Sequence, residues 1–390
     1  MTSVNPGHAA LVLAGALTGP VAGGQLILLS KPFGGVVGIP GTAAVYIALT
    51  GLVVGCATGL LTLRHPLSAR AAGCCAVVAG GAFAVAGLVS TLWLFVAVIV
   101  LACAAAGPLI VAARVFAFRQ RALLTGGHIV TAVCVAGAAG AASLWFETPG
   151  AALVVVGLAA ALLGGVAILA KAPVPHEESN DGSGAVPRRF LVGYATVGLL
   201  LGGTVLPALH LLLFRWNAFG AEQTDLLLLA ALPAVLVVAI PGPDASAVAP
   251  LLILAAGGPV LVATAPGQAT VVIGLAVTLA AAARAARGLD LALRARDAGT
   301  EHHDAGGRPA VGAGGAQSDR AAAITALTVT LGGLGGLGLV VALGELFGTG
   351  TGLTALAIPA LAAALLSGPR IPTPSAGSAV ATPAFEGGTP

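Results

Sequence analysis

Long apolar blocks broken by short polar intervals dominate the chain. They fall at 8–30, 42–63, 71–89, 91–112, 125–146 and 150–171, and again at 190–214, 224–241, 247–264, 267–286, 321–344 and 351–367. A hydrocarbon core about 30 Å thick is crossed by about 20 residues of helix. Within lipid a helix satisfies its own backbone hydrogen bonds. Each block therefore predicts one membrane-spanning helix. The stretch 71–112 is interrupted only at Ser90 and Thr91, and it is too long for one crossing, so it reads as two. The pattern predicts an all-α polytopic membrane protein with twelve transmembrane helices.

Two polar segments divide the blocks. Residues 172–189 gather Pro, Glu, Asp, Ser and Gly, the composition of an unfolded linker, and residues 287–320 are similar in kind. The expected organisation is an N-terminal six-helix bundle (1–171), a cytoplasmic linker (172–189), a C-terminal six-helix bundle (190–367) with a cytoplasmic loop at 287–320, and a disordered tail at 368–390. No cleavable leader is expected, because the first block is long enough to span and no cationic segment precedes it.

Composition agrees with this picture. The chain is 58% hydrophobic and 8% charged, against about 25% charged in soluble proteins. Most of its surface must therefore meet lipid. With an N-terminus inside, Arg64, Arg70, Arg114, Arg119, Arg121, Lys171, Arg188, Arg189, Arg284, Arg287, Arg294, Arg296, Arg308, Arg320 and Arg370 all fall on the inner side, and only Lys31 and Arg215 fall outside. Fifteen cations against two is a strong positive-inside bias, and it places both termini in the cytoplasm. The excess of arginine over lysine, with abundant Ala, Gly and Val, points to a GC-rich bacterial genome and hence to a cell (inner) membrane. The cations are not interleaved with aromatics, which argues against a nucleic-acid surface. All five cysteines lie inside apolar blocks without metal-site spacing, so no metal or cofactor is expected.

Six spans, a cytoplasmic linker, six spans and both ends inside: this layout resembles the major facilitator superfamily. The resemblance covers nearly the whole chain. The segment Gly59-Leu-Leu-Thr-Leu-Arg64-His-Pro-Leu-Ser-Ala-Arg70 stands where that family carries a Gly-x-Leu-x-Asp-Arg-x-Gly-Arg-Arg gating loop. Gly59, Leu61 and Arg64 fit, whereas Leu63 replaces the aspartate, Pro66 the second glycine, and Leu67 and Ser68 the paired arginines. That erosion puts the family's loop-to-helix charge lock in doubt. The resemblance makes Gly59, Arg64, Arg70 and Arg114 the gating-loop candidates. It also shows that the family's membrane-embedded arginine is missing from the fourth span, whose only arginine, Arg114, is at the inner end. Gly15-Ala-Leu-Thr-Gly19-Pro20-Val-Ala-Gly23-Gly24 matches a pattern of the family's antiporters, but on the first span instead of the fifth. Glycines four apart let neighbouring helices approach, so Gly15, Gly19, Gly23, Gly332 and Gly336 are read as packing positions, and Pro20 should bend its span.

Polar groups within a bilayer are costly and are functional candidates by default. Gln25 and His210 lie inside the first and seventh spans, in segments that echo one another: Gln25-Leu-Ile-Leu-Leu-Ser-Lys31 and His210-Leu-Leu-Leu-Phe-Arg-Trp216. Arg215 and Glu345 stand at outer ends. These four are the candidates for a substrate or proton pathway. Without a central carboxylate, His210 is the better proton carrier, since an imidazole titrates near neutrality. His128 reads as an interfacial residue at the inner start of the fifth span, and His302 and His303 lie in a loop without a frame for metal.

The resemblance implies a transporter working by alternating access on a small molecule, in the bilayer, as a monomer, with a proton as a possible second ligand. A cavity lined by Ala, Val, Leu, Gly and a few hydroxyls fits a hydrophobic or amphipathic compound, with export favoured over import. A non-transporting subunit is the alternative, favoured by the eroded loop. An enzyme acting on lipid-linked substrates would need clustered His, Asp or Glu on one membrane face, which the sequence lacks.

Overall fold

The computed structural model describes residues 5–63, 66–145, 147–170, 186–215, 221–240, 247–303 and 313–367. The expected linker at 172–189, apart from its last residues, and the tail lie outside the described residues, as does Arg64. The described chain is helical throughout: α1 (Pro6–Ala16), a π-helical segment (Leu17–Gly23), α2 (Gly24–Leu28), α3 (Ser30–Val37), α4 (Gly41–Leu61), α5 (Ala69–Ala86), α6 (Leu92–Arg119), α7 (Arg121–Leu144) and α8 (Pro149–Leu169). There follow α9 (Arg188–Phe214), α10 (Ala221–Ala239), α11 (Val248–Ala263), α12 (Gln268–His303), α13 (Ala313–Phe347), α14 (Thr349–Ala355) and α15 (Ala357–Ser367).

Among the described residues, nine helical rods are long and apolar enough to cross a membrane, and three shorter apolar helices complete twelve. The first rod is α1 to α2 in continuation, and the last is α14 with α15. The bundle's outer surface is apolar, with Trp93, Leu162, Leu169 and Leu365 among the most exposed side chains. In water that would be a severe cost; against acyl chains it is the requirement. The chain is a multi-pass membrane protein.

Packing repeats along the chain. In the first six rods, α1 lies on α6 and α8, α4 on α6, and α5 on α6 and α8. In the second six, α9 lies on α12 and α15, α10 on α12, and α11 on α12 and α15. Small residues set several of these contacts. A side chain at Gly80 would collide with the Gly157 carbonyl of α8, and one at Gly202 with the Gly333 carbonyl of α13. With no hydrophobic drive between helices in lipid, such close backbone approach supplies the dispersion that holds them. Gly15 and Gly19 rest on Ile110 of α6, Gly23 on Leu52 of α4, and Gly332 and Gly336 on α9.

Pro20 does not simply bend the first rod. It lies within the π-helical segment, where the wider turn accommodates a residue that has no N–H to donate.

Two expected loops are helical instead. The block boundaries predict a connection at 113–124, but α6 runs to Arg119 and only Gln120 separates it from α7. The polar stretch 287–320 was expected to be an unfolded loop; α12 continues to His303 and α13 starts at Ala313. The reason is an apolar stripe, Ala282, Ala285, Ala286, Leu289 and Leu293, that runs beyond the apolar block and is buried along its length. Arg284 and Arg287 are accordingly buried side chains, not solvated loop cations. Arg284 Nη1 donates to the carbonyls of Val237 at 3.0 Å and Ile240 at 2.6 Å, and Arg287 Nη1 donates to those of Val238 and Ile240. Two guanidiniums thus cap the end of α10, where the helix leaves carbonyls without internal donors.

Candidate functional site

Asp290 of α12 has no exposed surface. One carboxylate oxygen, Oδ1, accepts from the Arg114 guanidinium of α6 and from the Tyr194 hydroxyl of α9. The other, Oδ2, lies 2.7 Å from Nε2 of His128 on α7. Arg114 and His128 come from the first six rods, Tyr194 and Asp290 from the second six. A bare carboxylate here would be prohibitive; three donors, one a full cation, make the burial tolerable. The cluster therefore forms only when the two bundles are pressed together at this end.

A second ionic contact lies nearby. Arg119, at the end of α6, grips Asp319 of α13 through both oxygens, with Nε to Oδ1 at 2.9 Å. This pair is more exposed, at 33% and 17% for the two side chains. Arg119 also lies 5.5 Å above the Phe116 ring, whose other neighbour is His8, stacked at 4.5 Å between centroids and 16° between planes. Arg294 covers Phe118 at 5.7 Å. The start of α1, the junction of α6 with α7, the start of α9 and the far part of α12 are thereby gathered at one arginine-rich end.

Further into the bundle, a cavity of about 40 Å³ lies between the first rod, α4, α5, α6 and α13. Its wall includes Thr18, Cys56, Phe83, Cys103, Leu327 and Thr330, with Gly19, Gly23, Gly55 and Gly107 providing room. Thr18 and Thr330 already donate to carbonyls of their own helices, at 2.9 Å each. The lining offers an apolar surface with hydroxyl oxygens still able to accept. Since α13 contributes Leu327 and Thr330, this cavity too spans both bundles.

The residues singled out from sequence are scattered. Gln25 is fully buried, and neither its Oε1 nor its Nε2 has a partner. Its amide thus makes no bond to His210, which is exposed on α9, as are Arg215 and Glu345 at their helix ends. Gly59 is buried on α4 against Leu327 and Val111, at 3.2 and 3.3 Å from where a Cβ would stand. Arg70 is exposed at the start of α5. Among the described gating candidates, Arg114 enters a charge cluster, with Asp290. His128 lies two turns inside α7, its side chain 12% exposed and within the Asp290 cluster. Asp290, Tyr194 and Asp319 were not anticipated. Asp290 was hidden by its polar neighbourhood, though the spacing of Leu289 and Leu293 around it was a signal.

No family model matches the chain, and no curated protein matches its sequence. Solved structures do match in shape. The human organic anion transporter MFSD10 (TETRAN) superposes at a TM-score of 0.59 with 16% identity, covering 94% of this chain and 100% of its own. The nucleoside transporter NupG (a D323A mutant) does so at 0.58 with 15% identity, covering 93% of this chain and 98% of its own. A Major Facilitator Superfamily transporter, FucP, in the outward conformation matches at 0.57 with 12% identity, covering 92% and 97%. The chain has the major facilitator fold. Among the described residues, the ion pairs between the first six rods of this fold and the second six are made by α6 and α7 against α12 and α13.

Proposed function

We propose that the chain is a membrane transporter that moves a small hydrophobic or amphipathic compound by alternating access, with export as its direction. The observation that carries this reading is the Asp290 cluster. Two packed bundles need no buried carboxylate to adhere; a hydrophobic seam would serve as well or better. An ionic cluster split between bundles has a different property: it is strong when dry and assembled, and its members are readily solvated once the bundles part. Water entering the seam replaces each lost partner, so the closed and open forms remain close in energy. That is what a gate requires and a static assembly does not.

In this reading residues 1–171 and 190–367 are the two moving bodies joined by the linker 172–189. The arginine-rich end faces the cytoplasm, both termini lie there, and the bilayer is the cell (inner) membrane. The basic bias of that end supports the orientation. The structure then corresponds to a state closed toward the cytoplasm. The apolar cavity beside Thr18 and Thr330 supports a substrate without formal charge. His210, Arg215 and Glu345 are proposed to border the outer part of its route. No step requires chemistry on the substrate, so the protein is read as a carrier, not an enzyme, and a proton is a possible second ligand. The altered loop at 59–70 favours a second reading, a non-transporting membrane subunit.

The test is efflux from a transporter-deficient host loaded with Nile red, a neutral amphipathic dye, or with ethidium, a cationic one. Nile red should leave faster with the wild type than with Asp290→Asn, and ethidium should show no such difference. Equal rates for wild type, variant and empty host with both dyes would favour the subunit reading. An unchanged rate in His210→Ala would remove His210 from the route.

A further inference from the structure

We infer that Gln25 is the polar recognition group of the transport route, and that it takes a neutral substrate with a hydrogen-bond acceptor, best one whose polar group also donates: a carboxamide or a hydroxyl. The inference rests on the transporter reading and specifies its substrate class.

Gln25 has no exposed surface, and both polar atoms of its amide are without a partner. Other buried polar side chains behave differently. Thr18, Thr196, Thr278 and Thr325 each donate to a carbonyl three or four residues earlier, and Asp290, Arg284 and Arg287 are bonded as described. Thr204, also fully buried, shares the condition of Gln25 among the described residues, since its hydroxyl makes no bond to its own helix. It lies on α9, the first rod of the second bundle, as Gln25 lies on the first rod of the first. An amide desolvated without a partner is costly, and a leucine would fill the same space without that cost.

Its position fits a ligand. The turn Gly24–Leu28 follows the π-helical segment directly and packs against α4, α7 and α9, so it stands where the bundles meet. Next to it, Gly24 faces Leu206 of α9 at 3.6 Å from where a Cβ would stand. When the bundles part along this seam, the amide is the polar group uncovered. Neither the first rod nor α4, α7 or α9 carries an aspartate or glutamate, so a cationic substrate would find no counter-charge there. With both a free donor and a free acceptor, the amide complements a carboxamide edge, or an alcohol that uses one oxygen for both.

The experiment compares thermal unfolding of the purified wild type with Gln25→Leu and Gln25→Met, alone and with benzamide, benzyl alcohol, toluene or benzyltrimethylammonium. Without ligand both variants should melt above the wild type, by about 2–4 °C. Benzamide and benzyl alcohol should raise the wild-type midpoint, toluene and the cation should not, and the variants should lose the distinction. Three outcomes overturn the inference: variants that melt below the wild type, variants that respond to benzamide as it does, or a wild type that treats all four probes alike. Because binding is read without translocation, loss of transport with binding intact would instead refute the transporter reading.

Discussion

Replacing Asp290 by Asn removes one oxygen acceptor and one negative charge from a site with no exposed surface. The Arg114 guanidinium, 18% exposed, is left facing a neutral amide. Removing one partner of a buried ion pair costs about 3–5 kcal/mol. Arg114 keeps some access to water, so the lower figure is appropriate. In the proposed alternating-access cycle only the closed form makes the contact, so the loss falls on the equilibrium between closed and open. At about 1.4 kcal/mol per tenfold, about 3 kcal/mol moves that ratio by roughly a hundredfold. A protein mostly closed at the arginine-rich end becomes mostly open there. Spin labels introduced as Arg70→Cys and Arg320→Cys, both exposed at that end, in a background with Cys56, Cys74, Cys75, Cys103 and Cys134 replaced, report the change as longer distances. Adding Arg114→Met to Asp290→Asn removes the stranded cation and should restore most of the short distances. An Asp290→Asn distribution identical to the wild type, or a double variant as open as the single one, would refute the reasoning.

Other perturbations separate the parts of the account. Asp319→Asn breaks a more exposed pair, for which less than about 1 kcal/mol is expected; in the same distance measurement it should shift populations several-fold at most. Gly202→Val drives a side chain into the Gly333 backbone, whereas Gly335→Ala meets nothing within 4 Å; the first should lower the thermal midpoint markedly or prevent folding, and the second should leave it level or slightly raised. Arg284→Met withdraws the guanidinium from the Val237 and Ile240 carbonyls; a loss of about 1.5–3 kcal/mol is expected, read by chemical or thermal unfolding.

Much of the fold was legible because lipid simplifies the rules. A span must be apolar and helical, so block lengths alone locate α4, α5, α8 and α11 to within a few residues. The break at Ser90 and Thr91 is real for the same reason. Legibility failed where helices leave lipid but stay within protein. There a helix can be polar in composition and buried in fact, as α12 is from Arg284 to Leu293. Composition classed that stretch with the loops, and Asp290 went with it. The partner of His128 was hidden similarly, and the entry to α7 was placed where its apolar run begins, about one turn too late. Partners such as Arg114 with Asp290, 176 residues apart, are fixed only by the docking of two bundles. The unsatisfied state of Gln25 likewise depends on what surrounds it, although its place within an apolar run marked it early.

The gate itself is tested most directly by tying it shut. Cysteines introduced as Arg119→Cys and Asp319→Cys put thiols on α6 and α13 at the end where those two side chains meet, to be bridged by a reducible bifunctional methanethiosulfonate. Nile red efflux is then followed in cells before cross-linking, after it, and after reduction. Efflux should stop when the cross-link forms and return when it is reduced. Full-rate efflux with the cross-link complete would mean that the bundles need not part at this end, and the alternating-access account would be wrong.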